Sequence, residues 1–507
     1  MARGTMERDI STLEEIVNKP LRPRNGWIPR IRLRGVGLRA SERSLLLFVV
    51  DAGLMVLSLF VAVKVRTEWL DAPGSFTALW RWWVSLVIVW WIVAHLVEAY
   101  DLALAASAPH SMLTAGAAAA VTAVVYQFIP YYTPPLTTRG LAVLFVIAAT
   151  AAVMLWRGVY AVLFIQPAFE TRVLVFGAGL AGRALVRAMR RGGETGSINP
   201  YHGTGYRIIG FVDDDPDKMN QVEALGAPVL GGSRDLGRLA AELKPDQIVL
   251  AITHRNAMDE TAFDALMTCR ELGFQVTTMQ AVYERILGRV PVDHIGRNIT
   301  LVLPADDRGP GERLYGMFKR GVDLFVAGLT LIPLGAIVPL VALLNLVGNR
   351  GPLFYRQVRV GQGGRLFSVY KFRTMVTDAE KETGAVWAQA GDPRVTPVGR
   401  LLRRARLDEV PQVLNVLRGE MSLIGPRPER PEFVDALARE IPFYRARHAV
   451  RPGLTGWAQV RYGYGSSVED ARIKLEYDLY YVRHAGFYLD ALIWLKTLAV
   501  VLRLQGK

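Results

Sequence analysis

Two adjacent acids, Asp408 and Glu409, stand just before Pro411 in the run VGRLLRRARLDEVPQVLNVLRGEMSLIGPRP. Proline has no N–H and a fixed φ, so a helix tolerates it in its first turn and little further in. The spacing therefore predicts both acids at a helix N-terminus, where unpaired N–H groups and the helix dipole favour ionised carboxylates. Arg400, Arg403, Arg404 and Arg406 lead into the pair. Ionised carboxylates beside clustered guanidinium groups can hold a divalent cation and a diphosphate together. Mg²⁺ prefers carboxylate and phosphate oxygens, and arginine grips phosphate bidentately. The same residue types also suit a capped helix with a solvated basic face.

The stretches around this run carry further polar groups. FYRQVRVGQGGRLFSVYKFRTM reads as two strands about a glycine-rich turn. Its Lys371 and Arg373 are candidates for phosphate contacts, or members of a basic edge strand that resists aggregation. In SLIGPRPE, Arg427 is bracketed by Pro426 and Pro428 on a stiff loop, which suits a phosphate or uridine contact. RPGLTGWAQV is rich in turn residues and carries Arg451 and Trp457. The tryptophan suits stacking on a base, a membrane interface or a packed core.

These stretches resemble the signature of the polyprenyl-phosphate hexose-1-phosphate transferases, the monotopic phosphoglycosyl transferases. The likeness runs from GDPRVTPVGR through LDEVPQVLNVLRGEMSLIGPRPE to RPGLTGWAQV and LEYDLYYV. It covers roughly the last 190 residues, in motifs too long to arise readily by chance. The order of the preceding parts is similar to the long, bacterial-envelope form of that family. The resemblance implies transfer of hexose 1-phosphate from a UDP-hexose, glucose or galactose, to undecaprenyl phosphate, with release of UMP. That step initiates exopolysaccharide or O-antigen assembly. It implies that Asp408 attacks the sugar-side phosphorus to form a phosphosugar-enzyme, that Glu409 holds Mg²⁺, and that Arg403 or Arg404 steadies phosphates with Lys371. Asp478, in LEYDLYYV, matches an acidic position near the family's active site; by type alone it is an ordinary salt-bridged acid. Implied partners are UDP-hexose, undecaprenyl phosphate, the lipid bilayer and a second copy in a homodimer, with no nucleic acid. The implied location is the bacterial inner membrane, with the catalytic domain on its cytoplasmic face. Two positions depart from the pattern: Ala405-Arg406 replaces small polar residues before the acids, and Arg461 follows GWAQV as in the exopolysaccharide-type branch.

Composition sets what must position these groups. The chain has 507 residues, 51% of them hydrophobic, with a net charge of +14. So apolar a chain points to membrane segments, and the basic excess suits anionic lipid or phosphate-bearing substrates. No nucleic-acid-binding signature appears. A single cysteine, Cys269, excludes an intramolecular disulfide and a multi-cysteine zinc site. Residues 1–43 read as a polar, basic cytoplasmic tail. Four apolar runs follow, near 45–65, 79–97, 112–129 and 141–165, each about long enough to span a bilayer. The basic tail sets the N-terminus inside, and an even number of spans returns the chain to the cytoplasm. Asp51, Glu98 and Asp101 lie in or near these runs.

RVLVFGAGLAGRALVRAMRR reads as a strand, a glycine turn and a helix, with Gly177, Gly179 and Gly182 spaced as GxGxxG. Such glycines let backbone approach a pyrophosphate, or serve only the tight turn. A further strand, IIGFVDDDP, ends in Asp213–Asp215. The expected fold is thus an α/β membrane protein: a four-helix transmembrane bundle (44–168), a Rossmann-like α/β domain (169–303) that could hold an unidentified nucleotide, a linker and re-entrant membrane helix (304–350), and a monotopic α/β catalytic domain with a C-terminal interfacial helix (351–507). Pro333, Gly335 and Pro339 interrupt the re-entrant run, with Lys319, Arg320 and Arg350 flanking it, which predicts helix-break-helix. Two rival functions fit parts of the chain. A membrane-tethered NAD-dependent nucleotide-sugar epimerase or dehydratase would use the glycines and a Tyr315-xxx-Lys319 pair. A non-enzymatic membrane scaffold or nucleotide sensor would use both halves for binding, and the intact Asp408-Glu409 pair with its basic surround argues against it.

Overall fold

The computed structural model describes residues 40–64, 80–97, 99–100, 108–129, 139–163, 171–191, 206–218, 226–252, 258–294, 310–348, 351–377, 379, 392–463, 465 and 467–502. The predicted tail up to residue 39, Glu98, Asp101 and Arg350 lie outside them. The chain forms two compact units, Met1–Val282 and Tyr283–Lys507.

The first unit opens with four apolar helices, α1 Ala40–Lys64, α2 Trp80–Leu96, α3 Ala108–Tyr126 and α4 Arg139–Leu163. α1, α3 and α4 are long and apolar enough to cross a membrane, as is one helix of the second unit. α2 has 17 residues, about 26 Å at 1.5 Å per residue, slightly less than a bilayer's hydrocarbon. Small residues bring α3 close to α4: a Cβ on Gly116 would lie 2.5 Å from Met154 Cγ. Asp51 is fully buried in this bundle. Its Oδ2 lies 2.6 Å from Nη2 of Arg157, whose Nη1 donates to the Ala99 carbonyl at 2.7 Å. Pairing is the usual fate of a charge held among apolar helices.

An α/β layer follows: β1 Thr171–Phe176, α5 Leu180–Arg191, β2 Tyr206–Val212, β3 Val229–Gly231, α6 Leu236–Leu243, β4 Gln247–Leu250, α7 Glu260–Glu271 and β5 Gln275–Thr278. Its five strands are parallel, in the order β3-β2-β1-β4-β5. The order reverses at β1, as in doubly wound sheets. Close packing accounts for two of the three predicted glycines. Gly177 has φ +110° and a Cβ there would lie 2.6 Å from the Ala251 carbonyl oxygen; a Cβ on Gly182 would run into the Gly177 carbonyl. Gly179 faces open space. Asp213 accepts from the Ala178 N–H at 2.7 Å and pairs with Lys218 at 3.1 Å, so its carboxylate holds the turn itself.

Helix α8, Met279–Leu287, runs into the second unit, whose first long element is α9, Pro310–Gly348. The predicted helix-break-helix falls on this element. α9 is a single assigned helix of 39 residues with Pro333 and Pro339 inside it. Each proline removes one backbone hydrogen bond and favours a kink. In a run this apolar, continuing the helix satisfies the remaining backbone groups, which hydrocarbon could not. The predicted hairpin forms as β6 Phe354–Val360 and β7 Leu366–Phe372, with Tyr355 opposite Lys371. Gly363 and Gly364 turn it with φ of +65° and +78°. Then come α10 Pro397–Arg404, a 3₁₀ turn Leu407–Gln412, α11 Val413–Arg418, β8 Ser422–Ile424, α12 Pro431–Glu440, β9 Gly453–Thr455, α13 Trp457–Arg461, α14 Val468–His484 and α15 Phe487–Leu502. One core joins Val369 and Phe372 of β7, Leu402 of α10, Val416 of α11, Ile424 of β8, Tyr481 of α14 and Ile493 of α15 to Ala327, Leu334 and Val341 of α9. Two polar ties orient α9 on this core. Arg320 donates to the α11 carbonyls of Val416 and Leu417 at 2.7 and 2.9 Å, and Asp323 accepts from the Leu423 N–H at 2.9 Å.

Candidate active site

The acid pair is delivered by a short, capped approach. Thr396 caps α10 by accepting from the Gly399 N–H at 3.0 Å, and Pro397 occupies the first turn. α10 ends at Arg404, and Arg406 then takes a left-handed conformation, φ +57°. A non-glycine residue there costs about 1–2 kcal/mol; the chain accepts it immediately before Asp408. The acids do occupy a first helical turn, but of the 3₁₀ segment rather than of α11. Pro411 lies inside that segment, and α11 starts only at Val413. Buried Asn415 then locks α11 to β7: it accepts from the Tyr370 N–H at 3.2 Å and donates to the Ser368 carbonyl and to Glu420 at 2.7 Å. That lock sets Lys371, the next residue of β7, against the acids.

The two acids have opposite surroundings. Glu409 Oε1 accepts from Lys371 Nζ at 2.9 Å and from Arg427 Nη2 at 2.6 Å, and Oε2 lies 3.4 Å from Arg427 Nη1. Burial alone would raise its pKa, but Arg427 and Lys371 together hold the carboxyl well below the usual glutamate range. Asp408 is half-buried and makes no hydrogen bond among the described residues. Burial, then the neighbouring Glu409 charge, push its pKa up; Lys371, Arg403 and Arg427 pull the other way. Burial also lowers the Lys371 ammonium, with Glu409 opposing. Arg403 donates from Nε to Thr374 at 2.9 Å, which fixes it at the end of β7 on this side.

Arg427 stands on a platform of interlocked glycines. A Cβ on Gly425 would strike the Arg451 carbonyl; one on Gly453 or Gly456 would strike Gly425 backbone. The motifs SLIGPRPE and RPGLTGWAQV are therefore one object, two strands β8 and β9 paired in parallel with no room between them. From behind, Arg447 Nη2 donates to the Arg427 carbonyl at 3.0 Å, its Nη1 reaches the Tyr444 hydroxyl at 2.7 Å, and it pairs with Asp478 at 2.6 Å. Arg359 of β6 reaches the Pro428 carbonyl at 3.2 Å and Glu429 at 3.5 Å.

Residues 314–504 match the family model described as bacterial sugar transferase. A UDP-glucose:undecaprenyl-phosphate glucose-1-phosphate transferase of Caulobacter vibrioides is 42% identical over 206 residues, 40% of this chain and 77% of that protein. An exopolysaccharide production protein of Rhizobium leguminosarum bv. phaseoli is 39% identical, over 34% of this chain and 90% of that protein. The chain belongs to the bacterial sugar transferase family. A UDP-N-acetylgalactosamine-undecaprenyl-phosphate N-acetylgalactosaminephosphotransferase of Aeromonas hydrophila is 43% identical over 238 residues, 47% of this chain. The match spans about half the length of that relative, 54%.

Within this bacterial sugar transferase, Asp408, Glu409, Lys371, Arg403 and Arg427 come together. The remaining predicted residues lie elsewhere. Arg373 is 7% exposed, donates to the Pro352 carbonyl at 2.8 Å and wraps Gly351. Arg404 is on the exposed side of α10. Arg451 packs its carbonyl on the glycine platform. Asp478 is 1% exposed and sits behind Arg427 with Arg447. Trp457 is buried, and its indole donates to the Gly288 carbonyl at 2.7 Å. Asn415, Tyr444 and Arg447 were not singled out from sequence; only an asparagine inside an otherwise apolar helix, VLNVL, hinted at the first. Among the described residues, no group of three His, Cys, Asp or Glu could hold a metal ion. A Mg²⁺ ion needs less here, because it commonly binds through one or two carboxylates plus substrate phosphates. Glu409, ionised beside Asp408, fits that donor set once a diphosphate draws Lys371 and Arg427 to itself.

Proposed function

We propose that this chain transfers hexose 1-phosphate from a UDP-hexose, glucose or galactose, to undecaprenyl phosphate and releases UMP. The observation that carries this is the division of labour between the acids. Both Glu409 oxygens are engaged by Arg427 and Lys371, whereas Asp408 is unbonded, desolvated and one residue away. A carboxylate without hydrogen bonds is the better nucleophile. Asp408 attacks the sugar-side phosphorus; an aspartyl–phosphorus bond forms, and the bond to UMP breaks with its electron pair leaving on UMP. An oxygen of the lipid phosphate then attacks the same phosphorus and frees the Asp408 carboxylate. Arg427, Lys371 and Arg403 neutralise and orient the diphosphate, since phosphoryl transfer is chiefly positioning and charge stabilisation. Mg²⁺ held by Glu409 would supply further charge neutralisation on the diphosphate.

Topology bears on the same reaction. Both ends of α9 pack on neighbouring elements of one domain, Arg320 on α11 and Gly348 against Val398 of α10. A straight helix would separate those contacts by about 42 Å. This supports a helix that enters and returns on one face, bent near Pro333 and Pro339. Nucleotide sugars are cytosolic, so that face is the cytoplasmic one; a homodimer is the proposed assembly.

The test is turnover by the full chain in lipid vesicles with Mg²⁺, undecaprenyl phosphate and a panel of UDP-glucose, UDP-galactose and UDP-N-acetylgalactosamine. The expected result is lipid-dependent UMP release with UDP-glucose or UDP-galactose. No release with either, or release of UDP in place of UMP, would overturn the proposal.

A further inference from the structure

A cavity of about 200 Å³ opens between α9, β8 and α15. Phe318, Val322, Leu423, Ile424, Phe487 and Trp494 line most of it. Its polar lining is Tyr315, Lys319, Asp323 and Asp490, and Oδ2 of Asp323 is buried without a partner among the described residues. Asp490 accepts from Lys319 and from Tyr315 at 2.8 Å and from Tyr481 at 2.9 Å, while Lys319 also reaches Tyr481 at 3.0 Å. Tyr315 and Lys319 lie in the first turns of α9, near the start of its membrane-length run, while Asp490 comes from α15 and Tyr481 from α14. Lys and Tyr beside such a run mark the depth where lipid headgroups give way to hydrocarbon. Pockets that enclose whole small ligands run to about 300–1,000 Å³, so this one suits a short segment of chain rather than a sugar nucleotide.

The cavity is tied to the acid site by a short covalent path. Ile424, a wall residue, is three residues from Arg427, so their Cα atoms are at most about 11 Å apart. Arg427 in turn holds Glu409 at 2.6 Å. The stretch between them is the glycine platform, in which backbone meets backbone with no room for a Cβ.

We propose that this cavity seats the isoprene units nearest the phosphate of the lipid acceptor. The proposal rests on the transferase reading above and adds a place for the acceptor's tail. Lipid tails are as apolar as these walls, so the seat gains little transfer energy from the bilayer. Its effect is orientation: a fixed first segment of the chain aims the phosphate at Arg427 and the acids, and misplacement by about 1 Å can cost up to about a hundredfold in rate.

The experiment uses the full chain in phosphatidylglycerol vesicles and an isoprenyl phosphate bearing a diazirine on its second unit. Irradiation should label peptides spanning 315–323 or 487–494, and excess undecaprenyl phosphate should protect them. Crosslinking needs no turnover, so it judges the seat even if no UDP-sugar releases UMP, an outcome that would sink only the activity. Label elsewhere, or protection by added phospholipid but not by undecaprenyl phosphate, would overturn the seat. As a second arm, Ala491→Phe fills the cavity. It should lower kcat/KM for the acceptor about tenfold or more while KM for the UDP-sugar changes less than about twofold. An unchanged acceptor kcat/KM in a folded variant would also overturn the seat.

Discussion

Arg447 is the residue whose removal should separate positioning from chemistry. It is 6% exposed, and its partner Asp478 is 1% exposed. Burial lifts the Asp478 carboxyl to about 6, against the downward pull of Arg447. Arg447→Met keeps much of the volume but leaves that carboxyl buried without its cation. Breaking a buried pair in this way costs about 3–5 kcal/mol, a large share of the roughly 5–15 kcal/mol that holds a domain together. For a unit of this size that is a fall of about 10 °C in the unfolding midpoint. The sign of the pH dependence follows from linkage. An acid whose folded pKa exceeds its unfolded value near 3.9 is destabilising once pH rises past the unfolded pKa, increasingly so up to the folded one. Without Arg447 the folded pKa of Asp478 rises further. The deficit against wild type should therefore grow as pH climbs above about 6 and shrink near pH 4, where the folded-state carboxyl is neutral in wild type and variant alike. The Arg447→Met, Asp478→Leu double variant should recover most of the stability, yet stay impaired in turnover because the Arg427 carbonyl has lost its tether. Thermal unfolding in detergent at pH 5 and 8, beside steady-state UMP release, measures both. A single variant with wild-type midpoint at pH 8, or a double variant with wild-type kcat/KM, would refute the positioning role.

Gly425→Ala drives a methyl into the Arg451 carbonyl, a backbone atom that cannot swing aside. It should destabilise the domain by about 1–3 kcal/mol and cut UMP release more than the equivalent change at Gly363, where nothing lies within 4 Å of a Cβ but φ is +65°; equal effects would argue against a rigid platform. Because burial and Glu409 raise the Asp408 pKa, the acid limb of kcat/KM for the UDP-sugar should lie above the ordinary aspartate range. Arg403→Met removes a charge that lowers that pKa, so it should move the limb to higher pH; a limb that stays put or moves down would exclude Asp408 as the titrating group.

Much of this site was legible as residue types, less of it as contacts. Asp408 and Glu409 stood out because Pro411 restricts what can follow them, and the hairpin because GQGG can supply positive φ. The two proline-rich glycine motifs read separately as turns. That they form one platform depends on backbone approach between β8 and β9, which no local pattern encodes. Equally, nothing local says that Lys371 meets Glu409 while Arg373, two residues on, turns away to Pro352. That choice is made by Asn415 binding β7 and by the hairpin ending at Phe372. Asp478 carried an acidic match but not its burial, because its partner Arg447 lies on a 3₁₀ segment far along the chain. In α9 the prolines marked where the run departs from an ideal helix, but not that helical backbone continues on both sides of them.

The most direct test of the central claim is whether sugar phosphate becomes attached to Asp408. The full chain is incubated with Mg²⁺ and UDP-hexose labelled in the sugar, without lipid acceptor, then denatured and digested. Wild type should retain label on the peptide containing Asp408, with release of UMP not exceeding one per chain. Asp408→Asn, which keeps the shape and loses the nucleophile, should retain none and turn over no substrate. Glu409→Gln should still be labelled, more slowly. Label on Asp408→Asn, or near-wild-type turnover by it, would contradict the covalent route and leave direct attack by the lipid phosphate.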